Sequence, residues 1–93
     1  LAVCQLLPDV PSDLNGLRQR LDETDAAILE LFDCRQRLSA AIGAYKGAHG
    51  LPVRDKDREA EVLRTRGDML PERRDQAERL MTLLMALSRE EQA

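Results

Sequence analysis

Residues 14–46 read LNGLRQRLDETDAAILELFDCRQRLSAAIGAYK, and their spacing decides the fold class. Leu14, Leu17, Leu21, Ile28, Leu31, Leu38 and Ile42 recur at alternating steps of three and four. Thr24, Arg35 and Tyr45 fill the remaining places in that register. An apolar period of about 3.5 residues, held this long without an internal proline, predicts one long amphipathic helix. At the helical rise per residue it spans about 50 Å. Arg35 is the misfit, because a charge in an apolar seam must be paired or must bind something.

Such a helix poses a burial problem in a chain of 93 residues, which is enough for one small domain. Leu29, Phe32 and Ala41 widen its apolar face beyond a single stripe. Two shorter helices cannot easily cover that length, and a second copy of the long helix is the economical cover. An obligate homodimer is therefore expected.

Composition narrows the function classes. Charged residues make up 33% and aromatics 2%, the balance of a soluble helical protein. The net charge of −3 arises from 14 basic and 17 acidic side chains that are interleaved, so no basic block suggests a nucleic-acid partner. Cys4 and Cys34 are too few for a disulfide framework or a metal site, and Cys34 is expected to be a small buried hydrophobe. With one histidine, metal chemistry is not expected. No run approaches the roughly 20 apolar residues of a membrane span. The start lacks an initiator Met and a charged signal region, so a trimmed chain with a cytoplasmic location is expected.

Residues 1–12, with Pro8 and Pro11 and no period, read as an irregular arm or linker, leaving 13–93 as the domain. Ser12 or Asp13 can cap the long helix. Gly43 and Gly47 share a face near Lys46, which close approach of a ligand or another helix would explain; fraying explains Gly47 equally well. His49-Gly50-Leu51-Pro52 is a break. A second helix is expected from about Asp55, its cap, to Arg66, with Val62 and Leu63 as core and Gly67 as the stop. Pro71 suits the first turn of a third helix, whose apolar face carries Ala77, Leu80, Met81, Leu84, Met85 and Leu87. The fold class is all-α: three helices, long, short and medium.

Several polar residues fall on inward faces of these helices. They are Arg35 and Lys46 on the first, Asp55, Arg58 and Glu59 on the second, and Ser88 and Gln92 on the third. Arg35 and Lys46 lie three turns apart, within about 20° of one another and separated by roughly 16 Å. Three cations, two anions and two neutral hydrogen-bonders suit a small dianion, and they include no nucleophile–base pair. Each has a structural alternative. Arg58 and Glu59 can be a solvated face, and Lys46 a cation favoured by the helix C-terminus. Arg35 can pair with Asp22, Asp25 or a partner-chain acid, while Ser88 and Gln92 can be a frayed polar end. The coincidence of all these alternatives is less economical than one site.

The string Leu17-Arg18, Ile28-Leu29-x-Leu31, Arg35, Ile42-Gly43-x-x-Lys46, then Pro52-Val53-Arg54-Asp55-x-x-Arg58-Glu59, closely resembles the all-α chorismate mutases. Ser88-x-x-x-Gln92 also fits their pattern, so the resemblance covers about residues 14–92. The connection between the second and third helices is a few residues shorter than in the best-known bacterial member. The resemblance implies an intertwined homodimer of three-helix chains that rearranges chorismate to prephenate, on the route to phenylalanine and tyrosine, with no cofactor. It implies carboxylate binding by Arg35, and contact of Lys46 with the ether oxygen and a carboxylate. Gln92 would be the second donor to that oxygen, Ser88 a carboxylate contact, Asp55 and Glu59 contacts to the ring hydroxyl, and Arg58 a pocket arginine.

Arg18 would match an arginine that reaches the active site of the other chain. Its distance from Lys46, about 42 Å along a straight helix, keeps it from that pocket in its own chain, and an antiparallel partner helix could deliver it there. Alternatives of the same fold are an isochorismate-pyruvate lyase and an amino-deoxychorismate mutase; a non-catalytic helical dimerisation module is the alternative of another class. An activating partner enzyme, known for some short members, is a further possibility.

Overall fold

The computed structural model describes residues 11–93, and the expected arm lies mostly outside them. Helix α1 is Leu14–Ala48, helix α2 is Lys56–Met69, and a single 3-10 turn at Pro71–Arg73 leads into helix α3, Arg74–Gln92. No strand occurs among the described residues. The chain divides into two compact units at Cys34 and Arg35, so α1 contributes to both.

In the first unit the choice between two caps is settled in favour of Asp13. Its Oδ2 accepts the Gly16 N–H at 3.1 Å, and its carbonyl accepts from Leu17 N at 3.0 Å, closing the first turn. Cys34 is exposed, which corrects the expectation of a buried hydrophobe. The apolar register through Leu21, Ile28 and Leu31 also faces outward within the single chain.

The second unit holds the end of α1 together with α2 and α3. Gly50 ends α1 at φ +66, and Leu51 N bonds back to Lys46 O at 2.8 Å, the six-to-one bond of a Schellman stop. Asp55 caps α2 as expected, with Oδ1 accepting the Arg58 N–H at 3.0 Å. Gly67 does not stop that helix. It is buried inside the last turns, and a Cβ there would lie 2.5 Å from Nη1 of Arg74. The Arg74 side chain lies across it, and Leu70 forms the cap instead. Pro71 sits in the 3-10 turn, where its missing N–H costs nothing.

Burial is sparse. Val62, Ala77 and Met85 form the hydrophobic core, and Leu63, Met81, Leu84 and Leu87 are half-buried around it. Leu80, assigned to the apolar face of α3, is exposed. Among the described residues no helix is long and apolar enough to cross a membrane.

Candidate active site

All the candidate residues of the second unit converge on one open cavity of about 410 Å³. Its walls include Arg35 and Lys46 from α1, Asp55, Arg58 and Glu59 from the start of α2, and Ser88 and Gln92 from α3. Arg18 lies in the first unit, exposed, and does not line this cavity.

Three helices can meet here because one position lacks a side chain. A Cβ on Gly43 would come within 2.6 Å of Gln92 Cα and Gln92 O, so only glycine lets the end of α3 approach α1 this closely. The expectation of close helix approach holds at Gly43, whereas a Cβ on Gly47 would meet nothing within 4 Å. With the backbones in near contact, Lys46 Nζ donates to Gln92 Oε1 at 2.8 Å and to Val53 O at 2.6 Å. Gln92 Nε2 donates to Ser88 Oγ at 3.1 Å, and Ser88 Oγ shares a 2.6 Å hydrogen bond with Ser39 Oγ. The row Lys46–Gln92–Ser88–Ser39 thus joins α1 to α3 along one wall. Ser39, only 3% exposed, anchors its inner end. A helix end that merely frayed would not hold Ser88 and Gln92 in such bonds.

Arg35 enters from the same face of α1, four residues before Ser39. It is half-buried, and Nη1 donates to Leu84 O at 3.1 Å. That carbonyl, rather than Asp22 or Asp25, receives it. Burial, reinforced by the nearby charge of Arg66, pushes the Arg35 guanidinium below the ordinary arginine range.

The opposite wall is laced by ion pairs. Glu59 accepts from Arg54 Nε at 3.2 Å on one oxygen and from Arg89 Nη1 on the other, which ties α2 to α3. Arg58 pairs with Glu61 one turn on, so its solvated-face character and its place in the cavity wall coexist.

Arg66, Arg89 and Ser39 also line the cavity and were not among the candidate site residues read from sequence. Four-residue spacing carried the signal for each. Arg66 continues Arg58 and Val62 along α2, Arg89 follows Met85 on α3, and Ser39 follows Arg35 on α1. Five cations therefore face two carboxylates around the cavity, a field suited to an anion. Among the described residues no group of His, Cys, Asp or Glu could hold a metal ion.

Several known proteins resemble this chain. Two curated relatives are each named T-protein. The one from Enterobacter agglomerans is 38% identical over 55 residues, covering 59% of this chain and 15% of that protein. The one from Haemophilus influenzae is 36% identical over 53 residues, covering 57% and 14%. The chain thus spans only a small part of the length of these relatives. A solved structure, a conserved hypothetical protein from Pyrococcus furiosus, superposes with a TM-score of 0.74 at 31% identity, covering 90% of this chain and 100% of that one. The model of the family described as chorismate mutase type II matches residues 17–93, and with nearly all of the described chain inside that match, the protein belongs to the chorismate mutase type II family.

Proposed function

We propose that this domain converts chorismate to prephenate, and that the cavity of the second unit is where it does so. The observation that carries the reading is the meeting of Lys46 Nζ and the Gln92 amide in the wall of a cation-rich cavity. The reaction is a Claisen rearrangement: the ether C–O bond breaks as a C–C bond forms, with no proton transfer and no covalent intermediate. Negative charge builds on the ether oxygen in the transition state. Donors aimed at that oxygen lower the barrier because they bind it more tightly there than in the ground state.

Lys46 has three N–H bonds, two of which go to Val53 O and Gln92 Oε1, so one remains for the ether oxygen. Gln92, held by Lys46 on its oxygen and by Ser88 on its nitrogen, is the second donor once its amide turns toward the ligand. Arg35 binds a carboxylate and holds the substrate in its coiled, reactive conformer. Asp55 and Glu59 accept from the ring hydroxyl, Ser88 contacts a carboxylate, and Arg58 adds positive potential at the rim.

A homodimer belongs to the same reading. Leu31 and Leu38 are each 65% exposed in the single chain, and Leu14, Leu21, Ile28 and Tyr45 face outward with them. A stripe of that extent marks a protein interface. The partner's long helix would cover it, and Arg18 of each chain would complete the other chain's cavity.

The direct test is to mix the purified protein with chorismate, without added metal or cofactor, and to follow loss of chorismate while identifying the product. Prephenate formed at an enzymatic rate supports the reading. Turnover of isochorismate or amino-deoxychorismate instead would keep the fold and change the substrate. Inertness toward all three would leave an enzyme that needs an activating partner or a dimerisation module.

A further inference from the structure

Arg66 has no part in the mechanism above, yet it lines the same cavity. Arg58, Val62 and Arg66 follow one another at four-residue steps on α2, so one face of that helix is turned to the cavity along two turns. Arg66 is half-buried, and its Nη1 donates to the hydroxyl of the neighbouring Thr65 at 2.9 Å.

The other lining arginines divide by partner. Arg58 and Arg89 are each neutralised by a carboxylate, from Glu61 and Glu59. Arg35 and Arg66 bond to neutral acceptors, the Leu84 carbonyl and the Thr65 hydroxyl. The two are also close enough that the charge of one depresses the basicity of the other. Two guanidiniums facing one cavity without a carboxylate between them repel each other, and burial sharpens that repulsion. A bound carboxylate would relieve it, and each guanidinium has further N–H groups in the fork geometry that a carboxylate accepts.

We propose that Arg66 is a further substrate-binding residue, which together with Arg35 clamps one carboxylate of the dianionic substrate. The assignment rests on the mutase reading of the cavity. It gives the site a two-arginine clamp, with Lys46 and Gln92 left to the ether oxygen. Because such a clamp holds ground state and transition state alike, its loss falls on KM more than on kcat.

The test is steady-state kinetics on chorismate for the wild-type protein, Arg66→Ala, Arg66→Gln and Arg66→Lys, with Arg79→Ala as a surface control. Arg79 is exposed and pairs with Asp75, away from the cavity. Far-UV circular dichroism and thermal melts accompany each variant. Arg66→Gln retains much of the stem and guards against a packing defect in Arg66→Ala. We expect KM to rise about 10- to 100-fold in Arg66→Ala and Arg66→Gln with a much smaller change in kcat. Arg66→Lys recovers part of the loss, and Arg79→Ala matches wild type. Folded Ala and Gln variants with KM within about twofold of wild type would overturn the role of Arg66 and leave the mutase reading intact. A wild-type protein that neither turns over nor binds chorismate would overturn both.

Discussion

The ammonium of Lys46 is fixed at two points, by Val53 O and by Gln92 Oε1, before any substrate arrives. Preorganisation of this kind makes a donor effective, because no reorganisation is needed as charge develops. Lys46→Ala is therefore expected to lower kcat/KM by ~10²–10³ or more, while the circular dichroism spectrum stays helical. Wild-type turnover by that variant would remove Lys46 from the chemistry. Ser39 tests the other end of the row. Its hydroxyl is buried against Ser88 Oγ, but Ser88 also receives the Gln92 amide. Ser39→Ala then leaves its partner half-satisfied, and we expect a loss of about 1 kcal/mol in a chemical denaturation series. Arg35, although its basicity is lowered by burial and by Arg66, stays cationic across the working range of pH. The pH profile of activity should accordingly show no deprotonation of Arg35.

Two glycines one turn apart on α1 separate packing from propensity. At Gly43 an added methyl group meets the backbone of Gln92, which cannot swing aside as a side-chain tip could. Gly43→Ala should force α1 and α3 apart, at a cost of about 1–3 kcal/mol. The same displacement moves Gln92 away from Lys46, so kcat should fall along with the melting temperature. At Gly47 the space is open, and Gly47→Ala should instead stabilise the helix by up to about 1 kcal/mol. Paired thermal melts decide the matter, and equal shifts in the same direction would contradict the close approach at Gly43.

For the whole molecule, the exposed apolar register and the small core of Val62, Ala77 and Met85 leave one chain short of buried surface. Sedimentation equilibrium should return twice the chain mass, and Leu31→Glu, which sets a charge in the stripe, should lower both dimer content and helicity. A fully folded wild-type monomer at micromolar concentration would refute the dimer. The shared site has its own test. Arg18→Ala and Lys46→Ala chains, each inactive alone, should regain activity when mixed and re-dimerised, because one of the two sites then holds both residues. No recovery would argue that Arg18 does not serve the partner.

The helices and much of the candidate site were legible in sequence because both follow from periodicity. The register from Leu14 to Tyr45 defined α1, and Asp55 and Gly50 marked a start and a stop through local backbone chemistry. Arg35, Lys46, Ser88 and Gln92 stood out as polar groups on faces that should be apolar. What needed the tertiary structure were the choices that depend on a neighbour far along the chain. Gly67 resembled a stop, yet the helix runs through it to Met69, and Gly43 became necessary only beside Gln92. Arg66 and Arg89 looked like ordinary charges on helices because a sequence does not reveal which exposed-looking arginine has a carboxylate partner. Spacing along a helix determines which side chains share a face, whereas packing between helices determines which of those faces close on a common cavity.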